Sequence, residues 1–289
     1  MLSILTLILG LTTPSTAQIA PTCTKSSLQE ANARYIATQS TGSLSYLQPL
    51  LTANTTFLEN GISPSDWTSS STLTTNPARI DRTHTIYDLT QCALFTSLTI
   101  TGPSSPRVIG AQIWLSPNST STQISKIDRI HTTPGDWLFN ATGTLHYALG
   151  EDWSEIPVSQ RDTRETIKAA ADAYLDIFKD ASVNVPWGTP CTRLEGGAYT
   201  GRGLPTDSCN LGVIQSYDMP NRRYVIDESV GVASLLLEFG SIGNAPDSHL
   251  FRVEGGDLRR IHTMTFCEKK PNCGYTMPGG VSPPRAERG

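Results

Sequence analysis

A single order of features runs twice through this chain, and it limits the fold more than any composition does. Each half opens on an Ala-rich helical pattern, Leu28 to Gln39 and Thr166 to Phe178. Next come Leu58-Glu59-Asn60-Gly61 and its counterpart Leu194-Glu195-Gly196-Gly197. Strand-like runs follow, each opened by an aspartate: Asp88 to Phe95 and Asp227 to Ser234. Both halves close on one tetrapeptide, Arg129-Ile130-His131-Thr132 and Arg260-Ile261-His262-Thr263. Collinear matches of this kind are the signature of a duplicated unit. They predict that His131 superposes on His262, and Asp88 on Asp227.

Within each half the helix comes first and long strand patterns follow, which is the order of an α+β fold. In the first half, Thr83 to Thr101, Val108 to Leu115 and Ile124 to Thr132 read as strands, and Ser63 to Pro77 as a loop. In the second, Arg223 to Phe239, His249 to Glu254 and Leu258 to Phe266 read as strands. Pro134 to Glu155 joins the halves, with Trp137 and Trp153 as packing anchors. A curved antiparallel sheet wrapped around a helix makes a cone whose open end is a natural pocket. The expected boundaries are 1–17 for a signal peptide, 18–153 and 154–275 for the two cones, and 276–289 for a disordered tail.

The signal reading rests on the short apolar run Ile4 to Leu11, followed by the small residues Ser15-Thr16-Ala17. It implies secretion, and the six cysteines fit an oxidising compartment. Their spacing pairs Cys191 with Cys209 and Cys267 with Cys273, leaving Cys23 with Cys92. Asn54, Asn118 and Asn140 head glycosylation triplets, all in the first half. A net charge of -4 gives nucleic acid nothing to bind. No apolar run reaches membrane-spanning length. Homo- or hetero-oligomerisation is left open.

The candidate chemistry is acid–base. On a strand, alternate residues share a face, so Arg129 and His131 go together, as do Arg260 and His262. A histidine beside an arginine inside a cone can shuttle a proton. Asp88 and Asp227 are candidate bases, since a carboxylate in an apolar cone has a raised pKa. Glu59 and Glu195 precede glycine-bearing turns, and Arg193 is the expected ion partner of Glu195. Tyr224, with Tyr199 and Tyr217, can donate to an oxyanion. The second half has the fuller set, Asp227, His262, Glu195 and Tyr224, and is the expected working half. No nucleophile elbow, zinc motif, phosphate loop or dinucleotide fingerprint is present, so no metal and no cofactor is expected.

The segments Cys191-Thr192-Arg193-Leu194-Glu195-Gly196-Gly197, Arg222 to Glu228 and Phe251 to Gly256 resemble a widespread group of fungal proteins of unassigned function. That group is similar to the NTF2-like superfamily, also called SnoaL-like or ketosteroid-isomerase-like. The resemblance covers Arg164 to Phe266, and more faintly Cys23 to Thr132. It implies a cone-shaped α+β fold for each half. A narrower likeness, in size and organisation, is to fungal maleidride-forming cyclases, which couple anhydride monomers. The resemblance implies a cofactor-free cyclase, isomerase or lyase acting on a polyketide-like small molecule. A secreted ligand-binding or host-interaction protein without chemistry is the alternative. A buried carboxylate within hydrogen-bond reach of a histidine or tyrosine in either cone favours the enzyme. Cones plugged with Leu, Val and Phe favour the binding protein.

Overall fold

The computed structural model describes residues 23–116, 122–210, 212 and 217–275. The expected signal peptide 1–17, the acceptor Asn118 and the expected tail 276–289 lie outside them. The chain is mixed α+β, with two sheets and few helices.

Helix α1, Lys25–Thr41, starts at Thr24, whose side chain accepts from the Ser27 N–H in a capping box. It stops at Gly42, at a positive φ of 74°. Its buried residues include Leu28, Ala31 and Tyr35. They pack on the inner face of a five-stranded sheet ordered β1-β5-β4-β3-β2. Those strands are β1 Thr56–Glu59, β2 Arg82–Asp88, β3 Ala93–Ile100, β4 Arg107–Leu115 and β5 Ile124–Thr132. Between β1 and β2 the expected loop instead forms two one-turn helices, α2 Trp67–Ser70 and α3 Thr72–Thr75. Leu73 is driven into the core and holds them there.

The linker carries a further helix, α4 Ala141–Leu149, capped by the Asn140 side chain. Asn140 is half-buried, whereas Asn54 is exposed. In the second half α5, Arg164–Asp176, starts at Thr163 and packs on a sheet ordered β7-β6-β11-β10-β9-β8. Its strands are β6 Trp187–Glu195, β7 Ala198–Tyr199, β8 Arg223–Asp227, β9 Val232–Phe239, β10 Ala245–Glu254 and β11 Asp257–Thr265. In both sheets the first long strand runs parallel to the last, and the other neighbours are antiparallel. All three expected cysteine pairs are disulfides: Cys23–Cys92, Cys191–Cys209 and Cys267–Cys273. They fit an oxidising secretory environment. No helix among the described residues is long and apolar enough to cross a membrane.

Two expectations need correction. The runs Thr83 to Thr101 and Arg223 to Phe239 are hairpins, not single strands. The chain turns at Cys92 with φ 53° in one and at Gly231 with φ 59° in the other. Asp88 and Asp227 therefore close β2 and β8 rather than opening the longest strands. The repeated tetrapeptide is also out of register. Asp88 pairs with Ala93, Ala93 with Trp114 and Trp114 with Lys126. In the second sheet Asp227 pairs with Val232, Val232 with Arg252 and Arg252 with Arg260. Lys126 thus corresponds to Arg260, and His131 to Thr265. The parallel strands agree: Glu59 faces Arg129 as Glu195 faces Thr263. The offset is an odd number of residues, so His131 and His262 point to opposite faces of equivalent strands.

The outer faces of the two sheets pack back to back. Ile86, Ala93 and Phe95 meet Val225, Val232 and Leu250, while Val108 and Ile130 meet Leu236 and Met264. Polar groups bond across this seam, while Gln112 Oε1 and Asp128 Oδ1 have no hydrogen-bond partner among the described residues. The Gln112 Nε2 donates to the Arg223 carbonyl at 2.9 Å, and the Arg223 guanidinium bonds Asp128 at 2.8 Å. At the edge, β2 and β8 lie side by side. The Ile226 N–H donates to Asp88 at 2.9 Å, and the Tyr87 N–H donates to Asp227 at 2.8 Å. Each aspartate thus binds the residue that precedes its counterpart. Arg164 adds two bonds to Asp88, at 2.9 and 2.6 Å.

Asp88→Ala strands the Arg164 guanidinium and the Ile226 N–H at a buried seam. The expected loss is about 3–5 kcal/mol of unfolding free energy. Urea titration should show a lower midpoint at an unchanged slope.

Candidate functional site

Strand alternation sends Asp247, His249, Phe251 and Val253 of β10 to the inner face of the second sheet. Thr263 and Thr265 of β11, and Arg193 and Glu195 of β6, join them there. Tyr174 comes down from α5. Asp247, His249, Thr263, Thr265, Arg193, Glu195 and Tyr174 line a cavity of about 100 Å³, walled by Phe178, Phe239 and Trp137.

Asp247 and His249 form a buried pair, with Oδ1 2.5 Å from Nδ1 and both side chains at 2% exposure or less. Thr265 donates its hydroxyl to the other carboxylate oxygen. A carboxylate accepts from the ring N–H, so in the neutral ring the proton sits on Nδ1 and Nε2 keeps a lone pair. The ring is cradled by Tyr174, Phe239 and Phe251, with centroids 5.8, 6.2 and 5.6 Å away. The Tyr174 hydroxyl has no hydrogen-bond partner among the described residues. Burial pushes its pKa up to about 12, so it stays a proton donor.

Glu195 lines the cavity as a clamp. It accepts from Arg193 Nη2 at 2.7 Å and from Trp137 Nε1 at 2.7 Å. Trp137 arrives with the linker, which passes so close that a Cβ on Gly196 would meet the Trp137 carbonyl oxygen at 2.2 Å. The two glycines therefore admit the linker rather than expose the carboxylate. Asp136 anchors the same segment, accepting from the Thr133 and Cys267 N–H groups. Tyr275, two residues past the loop closed by Cys267–Cys273, packs edge-on against Trp137 at 5.8 Å.

The other sequence candidates lie elsewhere. Asp88 and Asp227 are seam residues on the outer faces and line neither inner face, which removes them as bases within a cone. Tyr224 donates to Asp172 beside Arg222, outside the cavity, and its hydroxyl pKa is raised by burial and by that carboxylate. His262 is also on the outer face, 2.6 Å from Glu151 and edge-on to Trp153. It borders a seam cavity of about 30 Å³, room for little more than water. His131 stays inside the first half. Its Nδ1 lies 3.0 Å from the Thr72 hydroxyl, which donates to Glu59 at 2.8 Å. Among the described residues no group of three or more His, Cys, Asp or Glu side chains could hold a metal. Asp247 and His249 escaped sequence reasoning. Their signal was a carboxylate and an imidazole spaced by two on one strand, and so on one face of it.

Comparison with known proteins adds little chemistry. A family model described as "Domain of unknown function (DUF8021)" matches residues 160–265, the second half. No curated protein matches the chain. A solved structure described as an NTF2-like protein of unknown function from Shewanella baltica OS155 aligns at 8% identity with a TM-score of 0.27. The alignment covers 37% of this chain and 91% of that one. At that score the likeness carries no argument.

Two buried histidines set the acid response. Burial, with Arg129 and Arg107 nearby, lowers His131 to about 3, and burial with Arg82, His262 and Arg252 does the same to His84. Below the unfolded value of 6.5 the unfolded chain binds protons that the folded chain refuses. Stability therefore falls as pH drops from about 6.5 to about 3, by about 1.4 kcal/mol per unit for each histidine. His84→Gln should flatten the slope of unfolding free energy against pH by about one proton in that window.

Proposed function

We propose that the chain is a secreted, cofactor-free acid–base enzyme, built from two NTF2-like cones, with its working site in the second. The observation that carries the proposal is the Asp247–His249 pair, buried and facing a cavity. It is the carboxylate–imidazole arrangement that favours an enzyme over a plugged binding module. His249 Nε2 removes a proton from carbon next to a carbonyl. Asp247 holds the imidazolium that forms. The charge that develops on the carbonyl oxygen is met by the Tyr174 hydroxyl and the Arg193 guanidinium. The imidazolium then returns its proton to the substrate, either at a new carbon or on a leaving group. This sequence serves isomerisation, elimination and carbanion coupling alike.

The fungal resemblance supports a polyketide-like substrate from secondary metabolism, with coupling of anhydride monomers as one such reaction. Among the described residues the inner face of the first half lacks an Asp–His pair, so the second remains the expected working half. The residues assigned now differ from Asp227 and His262, which serve the seam. Exposed Asn54 is the preferred acceptor for a glycan.

Replacing the gene with His249→Ala or Asp247→Asn in the producing organism tests the proposal. General base catalysis contributes roughly 10²–10⁴-fold, so the product titre should fall by at least the lower figure while secreted protein persists at wild-type level. An unchanged titre with His249→Ala would remove the catalytic reading and leave the binding protein.

A further inference from the structure

The inner faces of the two halves hold the same residue types in different charge balance. Tyr35 and Tyr174 lie equally far past their helix caps, Thr24 and Thr163. Glu59 and Glu195 occupy equivalent strand ends. In the second half, one arginine is matched by Glu195, and Asp247 stands beside His249. The first half has two arginines, Arg107 and Arg129, both at 0% exposure. Glu59 is the carboxylate within ion-pair reach, 3.5 Å from Arg129 Nε. Asp128 is on the outer face, bound to Arg223 and Lys126. His131 is lowered to about 3 by burial first and by both arginines second, so it adds no negative charge and is itself neutral. The buried layer thus carries one positive charge too many.

The donors are also left over. Arg107 spends Nη1 on the Ser105 hydroxyl at 3.1 Å and Nη2 on the Asn76 carbonyl at 2.7 Å. Arg129 spends Nη2 on Gln39 Oε1 at 2.9 Å. Gln39 Nε2 returns to the Asn76 carbonyl at 3.1 Å, tying both arginines into one network. Arg129 Nη1, Arg107 Nε and the Tyr35 hydroxyl have no hydrogen-bond partner among the described residues. The Arg129 guanidinium lies over the Tyr35 ring at 5.9 Å. A buried ion without a counter-charge is strongly unfavourable, and so is a buried donor without an acceptor. One bound anion relieves both.

We infer that the inner face of the first half binds a single halide, chloride in an extracellular medium, through Arg107, Arg129 and the Tyr35 hydroxyl. A halide fits because these leftover groups are donors, and a sphere accepts from them without needing a donor or a directional lone pair in return. This site is independent of the proposed chemistry at His249.

Thermal unfolding in sodium bromide, sodium formate and sodium sulfate at fixed ionic strength tests the inference. Bromide is expected to raise the midpoint saturably by several degrees, with formate and sulfate doing less. Arg107→Met removes the excess charge, and the bromide dependence should vanish with it. An anomalous difference map from bromide-grown crystals should place a peak beside Arg107 and Arg129, and this decides the matter even if the variant fails to fold. A midpoint insensitive to bromide, a larger response to formate, an equal response in Arg107→Met, or no peak at the arginines each overturns the site.

Discussion

The structure depends on one arrangement: two sheets packed back to back and sealed at the edge by a pair of crossed carboxylate–amide bonds. Asp88 holds the Ile226 N–H and Asp227 holds the Tyr87 N–H. Because each aspartate reaches across to the other half, the edge strands β2 and β8 are covered rather than left as templates for aggregation. Packing the outer faces together also decides where pockets can be. Each inner face is left to its own helix, and any ligand must enter from the far side of the sheet.

On similar frames the two inner faces differ. Tyrosine and glutamate hold matching places, but arginine and histidine stand on different strands. The first half takes Arg129 and His131 from β5, while the second takes Arg193 from β6 and His249 from β10. The result is a carboxylate–imidazole pair facing a cavity in one half and an excess of buried guanidinium in the other. Residues that look equivalent in sequence, His131 and His262, do different work. One is buried with arginines, and the other pairs with Glu151 beneath Trp153 at the seam.

Much of the architecture was legible in the chain. Helices were written in the patterns Leu28 to Gln39 and Thr166 to Phe178, strands in β-branched runs, and the disulfides in cysteine spacing, because these are local properties of neighbouring residues. The hairpins at Cys92 and Gly231 were missed because each turn is only four residues long, 89–92 and 228–231, with Leu89 or Val230 inside it and a long apolar strand directly after. The short helices α2 and α3 were missed because Ser and Thr favour loops, and only the burial of Leu73 overrides that preference. The candidate site was legible in part. Glu195 and Arg193 were found as an ion pair, but Asp247 and His249 were passed over because no motif surrounds them.

What the sequence determined by itself is the order of the main elements, the repeated pattern of features, the cysteine pairs and the residue types available for acid–base work. Those follow from periodicity, composition and spacing along the chain. Only the tertiary structure decided which face each residue occupies. An odd shift of register turns a side chain from the inner face to the outer, and that shift is set by bulges and pairing across strands distant in sequence. It placed the repeated histidines on opposite faces, and the packing of the sheets made Asp88 and Asp227 seam residues while His249 and Asp247 faced the helix of the second half.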